Sequence, residues 1–228
     1  MTDSFSSVRA IANHVHHIRQ TIPDRVRLIA VTKQVSVEAI RAAYDAGIRD
    51  FGENRVQEAI AKQEQLQDLP DITWHLIGHL QSNKALKALQ HFTWIHSLDS
   101  LKLALRLNQL AADLHCKPTV CLQVKLLPDP NKYGWMIDEL WADLPKLEQC
   151  DHLNIVGLMA IPPYGLGESD TLSVFTQARE LAKTISQQEW RTIQMNHLSM
   201  GMSEDYLLAI QAGATMVRLG RILFGERQ

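Results

Sequence analysis

A lysine, two glycine-bearing loops and an arginine are the residues of this chain with the clearest chemical potential. Lys33 follows Val26-Arg27-Leu28-Ile29-Ala30-Val31-Thr32, a β-rich run of buried-strand character. Partial desolvation at the end of such a strand favours the neutral amine, which is a nucleophile toward carbonyls. The same position suits a lysine that stretches along apolar surface to reach solvent, and both readings stand at this point. Far along the chain, Ser199-Met200-Gly201-Met202-Ser203-Glu204-Asp205 precedes a helix. Arg218-Leu219-Gly220-Arg221 precedes a short apolar turn, Ile222-Leu223-Phe224-Gly225. Small residues let backbone N–H groups come close to an anion, and Ser199 adds a hydroxyl. Taken singly, either loop is equally a glycine turn that caps a helix.

These residues matter only if the fold gathers them, and the hydropathy pattern says how it could. Residues 8–20 read as a helix with Val8, Ile11, Ala12, Val15 and Ile18 on one stripe. Strands are expected at 26–32, 48–52, 73–78, 93–98, 119–126, 153–161, 197–200 and 215–219. Between them the pattern predicts helices at 37–46, ending at Gly47, and at 55–66 and 84–89. Another, capped by Asp99 or Ser100, runs to about residue 115. Helices follow at 137–148, irregular around Pro145, and at 172–186 and 204–212, with Pro162-Pro163 stopping the sixth strand.

Strand and helix alternating eight times imply right-handed crossovers and a parallel sheet. The expected class is α/β, as a single (β/α)8 barrel with an additional N-terminal helix, one domain over residues 1–228. A doubly wound open sheet is the alternative. In such a barrel, functional groups collect at the C-terminal ends of the strands, and phosphate binds at the last two loops. Lys33 and both glycine loops fall there. An amine facing a phosphate site points to a phosphorylated aldehyde held as a Schiff base.

Composition narrows the partners. With 23 Lys+Arg against 25 Asp+Glu the net charge is −2, which lacks the basic excess of a general nucleic-acid binder. No apolar window reaches the roughly 18 residues of a membrane span, and no secretory signal pattern opens the chain. Three cysteines, Cys116, Cys121 and Cys150, form no CxxC pair, so a reducing cytoplasm is expected.

The segments LIAVTKQVSVEAI, FGENRVQE, WHLIGHLQSNK, VGLMAIPP and LSMGMSEDYLLAIQAGATMVRLGRILFG resemble the pyridoxal-phosphate homeostasis (YggS/PROSC) family. They do so in that family's order across almost the whole chain, and LQVKLLPDPNKYGW resembles its cyanobacterial members. The resemblance implies an alanine-racemase-like barrel that binds pyridoxal 5′-phosphate (PLP), without the racemase's second domain. It implies that Lys33 forms the internal aldimine and that Asn54, in the GENR motif, lies beside the cofactor. Ser199, Gly201, Gly220 and Arg221 would contact the phosphate, Arg218 would sit near the pyridine nitrogen, and Met159 would line the pocket. The chain departs from the family with Thr32-Lys33-Gln34 for Ser-Lys-Thr, Lys125 for Asn, Tyr133 within K-x-G, and Arg221 for a small residue.

A guanidinium beside the pyridine nitrogen stays protonated and disfavours a pyridinium, which weakens the ring as an electron sink. That favours a PLP carrier serving vitamin B6 and amino-acid homeostasis, monomeric, with transient contact to PLP-dependent apo-enzymes. A racemase-like PLP enzyme is the alternative, and a barrel for another phosphorylated metabolite is a third class. His14, His16 and His17 read as a solvated helix face, not a metal site. His75 is expected near the barrel mouth, His79 as structural, and Lys132 as a charge on a Pro- and Asn-rich loop.

Overall fold

The computed structural model describes residues 2–225, with side chains from Val8 onward. Eight parallel strands form the barrel: β1 (Arg27–Val31), β2 (Asp50–Glu53), β3 (Thr73–Leu76), β4 (Trp94–Leu98), β5 (Thr119–Lys125), β7 (Asn154–Ala160), β8 (Ile193–Ser199) and β9 (Met216–Leu219). A two-residue strand, β6 (Trp135–Met136), adds to the edge of β5 through Val124 and Lys125. The order β4-β3-β2-β1-β9-β8-β7-β5 closes because β4 also pairs with β5. The closed barrel, not the open sheet, is therefore the fold.

Helices α2 (Val37–Asp45), α3 (Val56–Gln63), α4 (Ala85–His91), α5 (Leu101–Asp113), α6 (Ile137–Leu147), α7 (Glu168–Ser186) and α8 (Tyr206–Gln211) cover the outside. The helix after the last strand, α9 (Arg221–Phe224), is a single turn, too short to cover its share of the sheet. The N-terminal helix α1 (Thr2–Thr21) packs against both α2 and α9. His14 Nδ1 lies 3.0 Å from the Leu223 carbonyl and joins α1 to α9. Ile11, Val15 and Ile18 are buried on α1 and Ile22 just after it, whereas Val8, expected on the stripe, is exposed.

Several boundaries differ from the sequence pattern for local reasons. β8 starts at Ile193, four residues early, because exposed Gln194 and Asn196 interrupt the apolar run that marks the other strands. α6 runs unbroken through Pro145, which lies in the last turn where the missing N–H costs one helical bond. Ser100 is the cap of α5, its hydroxyl accepting from the Leu103 amide at 3.4 Å, while Asp99 turns to His79. α7 begins at Glu168, its first turn carrying Glu168 and Asp170 at the positive end of the helix dipole.

Apolar residues divide into two cores. The larger lies between strands and helices; the smaller, inside the barrel, contains Ile29, Trp94, Cys121, Val156, Met159 and Met216. The two-residue alternation of strands then carries the inward faces upward, from Ile29 through Val31 to Lys33 and from Met216 through Arg218 to Gly220. Arg218 is paired across from Ile29 in the β1–β9 ladder. Replacing Ile18 by Ala should cost about 2–4 kcal/mol in urea unfolding, because its side chain seals α1 to the barrel. Val8→Ala, at an exposed position, should stay within about 0.5 kcal/mol.

Candidate functional site

At the C-terminal end of the barrel a cavity of about 270 Å³ is lined by Val31, Lys33, Asn54, Ile77, Arg218 and Gly220, with Ile161, Arg221 and residues 202–205 completing the rim. Five of the expected site residues, Lys33, Asn54, Arg218, Gly220 and Arg221, therefore meet in one place. They come from β1, β2 and β9, strands that neighbour one another in the closed sheet.

Lys33 stands on a strand end that is held from below. The Thr32 hydroxyl donates to Glu53 Oε1 at 2.6 Å, and Lys62 Nζ donates to the same oxygen at 2.7 Å. Lys62 also donates to the Thr32 carbonyl at 2.5 Å and to Glu58 Oε1 at 2.7 Å. Glu58 in turn accepts from the Gln34 amide at 2.5 Å, across a Gln34 backbone in the left-handed region (φ 57°). One buried ammonium thus draws the ends of β1 and β2 together on both sides of Lys33. Burial pushes the Glu53 carboxyl above its ordinary value, opposed by Lys62 and Thr32. Beside it, a Cβ on Gly78 would collide with the Asn54 carbonyl, so the third loop can approach Asn54 only with glycine there.

Across the cavity, Arg218 is 3% exposed. Its NH1 donates to Ser199 Oγ at 2.7 Å and its NH2 to the Ala160 carbonyl at 3.2 Å. Burial lowers its pKa to about 10, countered by the field of Asp205, so it is charged near neutral pH. Asp205 accepts from the Met202 amide at 2.6 Å and is itself pushed up by burial.

The residues of the two glycine loops are divided between the cavity rim and the layer behind it. Ser203 Oγ accepts from the amides of Gly220 at 3.3 Å and Ile222 at 3.5 Å, tying the loop after β8 to the one after β9 at the cavity rim. Ser199 is fully buried behind Arg218, and its hydroxyl faces the barrel interior instead of the cavity. Gly201 adopts φ +93°, and a Cβ there would meet Ala209 Cβ at 2.6 Å, so it shapes the loop from behind. Met159 lies in the inner apolar core beneath the cavity. The Arg221 guanidinium pairs with Glu204 at the rim, where both are exposed.

Other candidates fall into place around this centre. His75 is not at the mouth: it is buried low in the barrel, with Nε2 2.9 Å from Asp50 Oδ1 at the start of β2. His79 stacks on Tyr133 with ring centroids 3.6 Å apart and lies 2.6 Å from Asp99 Oδ2. Lys132 donates to the carbonyls of Ile161 and Pro162, so it is anchored across the mouth, not loose on its loop. His14, His16 and His17 are exposed on α1.

The donor set fits a flat, phosphorylated aldehyde. Lys33 supplies an amine, Arg218 a fixed cationic donor for a ring acceptor, and the small-residue loops joined through Ser203 let an anion come close to backbone at the rim. Residues missed in the sequence are Ser203, Glu53, Lys62 and Asp205. Ser203 carried a visible signal, a hydroxyl two residues beyond Gly201; of the Lys62 clamp only the i,i+4 spacing to Glu58 is visible, since its other partners lie 9 and 30 residues away.

Burial holds His96 well below its ordinary value of 6.5, and His75 is lowered for the same reason. Their folded pKa values lie below the unfolded ones, so the unfolded chain binds more protons between the two. Stability from these groups is present above the unfolded value and lost as pH falls. Glu53 and Asp205, raised by burial, act oppositely at lower pH. The difference in unfolding free energy between the wild type and His96→Leu should therefore shrink by about 1.4 kcal/mol per pH unit between roughly pH 6 and 5. Parallel pH curves would contradict the buried neutral imidazole.

Residues 6–228 match the family described as alanine racemase, N-terminal domain. A pyridoxal phosphate homeostasis protein of Synechocystis is 53% identical over 91% of this chain and 94% of its own length. The structure of PipY from Synechococcus elongatus with PLP bound has a TM-score of 0.90 at 53% identity, covering 94% of this chain and all of that one. Alanine racemase of Clostridium difficile shares the fold alone, with a TM-score of 0.76 at 13% identity over 57% of that chain. On its sequence, its barrel and the residues gathered at its mouth, the chain belongs to the family of pyridoxal phosphate homeostasis proteins, built on the barrel of the alanine racemase N-terminal domain.

Proposed function

We propose that this protein binds PLP in the cavity between Lys33 and Arg218 and serves intracellular PLP homeostasis as a carrier. The observation that carries this reading is the meeting of an amine, a buried guanidinium and an amide-rich loop pair in one cavity. The PLP-bound relative with 53% identity supports it. When bound, the cofactor supplies an aldehyde for an amine and a pyridine ring that can draw electrons.

Lys33 holds the aldehyde carbon through a reversible Schiff base, on a strand end that Lys62, Glu53 and Thr32 keep in place. Arg218 donates to the ring nitrogen and, remaining charged, keeps that nitrogen unprotonated. Ser203, Gly220 and Arg221 hold the phosphate end, with Ser199, Gly201 and Met159 supporting the pocket from behind. Asn54 lies beside the ring. An unprotonated ring is a weak electron sink, which favours holding and releasing the cofactor over turning over amino acids. The reading extends to a cytoplasmic, monomeric, one-domain protein that meets PLP-dependent apo-enzymes transiently. The free thiols of Cys116, Cys121 and Cys150 are consistent with a reducing compartment, and among the described residues no helix is long and apolar enough to cross a membrane.

Lys33→Ala should remove the visible Schiff-base band while leaving some PLP bound through the phosphate loops and more easily lost. Arg218→Ala should keep that band but weaken retention by about one to two orders of magnitude, as for loss of a charge-assisted hydrogen bond of roughly 1.5–3 kcal/mol. Both are read by absorption and by equilibrium dialysis. Assays of racemisation, transamination and decarboxylation over a broad amino-acid panel should find no robust turnover; robust turnover would instead identify a racemase-like enzyme.

A further inference from the structure

The interior of the barrel below Arg218 is polar where a (β/α)8 barrel ordinarily packs branched aliphatic side chains. Ser199 Oγ lies 2.7 Å from Arg218 NH1 and 2.7 Å from His96 Nδ1. His96 Nε2 lies 2.9 Å from His75 Nδ1, and His75 Nε2 lies 2.9 Å from Asp50 Oδ1. Ser199, His96 and His75 are each 0% exposed, so water cannot substitute for any of these partners. The line runs from the cavity floor on β9 through β8, β4 and β3 to the start of β2. Asp50 is the end nearest solvent, and Arg27 faces it at 3.7 Å.

With each buried imidazole neutral, the carboxylate end determines the direction of every bond along the line. A guanidinium can only donate, and a carboxylate paired with an arginine only accepts. Having accepted from Arg218, Ser199 gives its own proton to His96 Nδ1. His96 then donates from Nε2 to His75 Nδ1, and His75 donates from Nε2 to Asp50. Both imidazoles are neutral in this arrangement. That agrees with their burial and with the positive groups facing them, Arg27 from β1 and Arg218 from β9; His197 from β8, beside His96, is itself lowered by burial.

We propose that Ser199, His96, His75 and Asp50 form a directional hydrogen-bond relay that positions Arg218, so that the base of the barrel governs how firmly the mouth holds a ring-nitrogen acceptor. The proposal rests on the assignment of the cavity to PLP. Within it, Ser199 is a positioning residue: without it the guanidinium keeps one bond, the longer one to Ala160. The histidines keep the Ser199 hydroxyl turned away from Arg218, with its lone pairs available to the guanidinium.

Two measurements test the relay. Long-range proton–nitrogen NMR of the unmodified, ligand-free protein should find His75 and His96 both neutral with the proton on Nε2 between about pH 6 and 8. A proton on Nδ1, or an imidazolium, at either residue would overturn the relay, and this test needs no variant and no cofactor. The second is a double-mutant cycle on PLP retention by dialysis. Ser199→Ala should weaken retention about tenfold in the wild-type background but less than about twofold in the Arg218→Ala background. Equal effects in both backgrounds would mean that Ser199 does not act through Arg218. If the wild type retains no PLP, the assignment of the cavity fails, and with it the coupling to the mouth, while the NMR result still decides the direction of the bonds.

Discussion

Arg218 places a full positive charge inside a barrel, and much of the interior follows from it. Moving an ion of this size out of water costs several kcal/mol even after relaxation, so its donors must be matched by fixed acceptors. Ser199 and the Ala160 carbonyl provide them, and Asp205 supplies a nearby opposite field. Ser199 can serve only if its own hydroxyl has somewhere to point, which calls for His96; His96 calls for His75, and His75 for Asp50. An aliphatic residue anywhere along that line would leave a buried polar atom unpaired. The apolar inner core of Ile29, Trp94, Met159 and Met216 therefore packs around a polar seam instead of filling the barrel uniformly.

The opposite wall is held by a second buried charge acting on backbone. Lys62 reaches from α3 to the Thr32 carbonyl and to two glutamates, fixing the ends of β1 and β2 against each other. A lysine meant to hold a ligand reversibly needs its backbone fixed while its side chain keeps reach, and this clamp leaves Lys33 itself at the cavity wall. The outer rim is looser in character: Arg221 and Glu204 form an exposed pair of the kind that contributes little to stability. Ligand exchange is thus most easily accommodated there, and the two buried charge centres hold the wall and floor.

How much of this the chain discloses depends on the range of the interaction. β1 and β7 are nearly continuous apolar runs, and their ends point directly to Lys33 and Pro162. β8 is read short because Gln194 and Asn196 face outward, and β6 exists only through its pairing with Val124 and Lys125. Lys33, Arg218 and Gly220 are legible from their positions at strand ends. Ser199 and Ser203 are not distinguishable in one dimension: they occupy the same loop region, and only strand parity and the left-handed turn at Gly201 send one inward and the other to the rim. The pattern around His75 marks its strand but not its level along the barrel, which the pairing with Asp50 sets. Glu53, Lys62 and His96 act through partners 4 to 103 residues away, and apart from the i,i+4 pair of Glu58 and Lys62 no local pattern encodes such contacts.

If Lys33 carries the bound aldehyde within this cavity, it alone becomes modified when the bound state is trapped. Purified protein saturated with PLP, reduced with borohydride, digested and sequenced by mass spectrometry tests it directly. The account predicts one stoichiometric pyridoxyl-lysine, at Lys33. A stoichiometric label on Lys132 or any other lysine, with Lys33 unmodified, would contradict it.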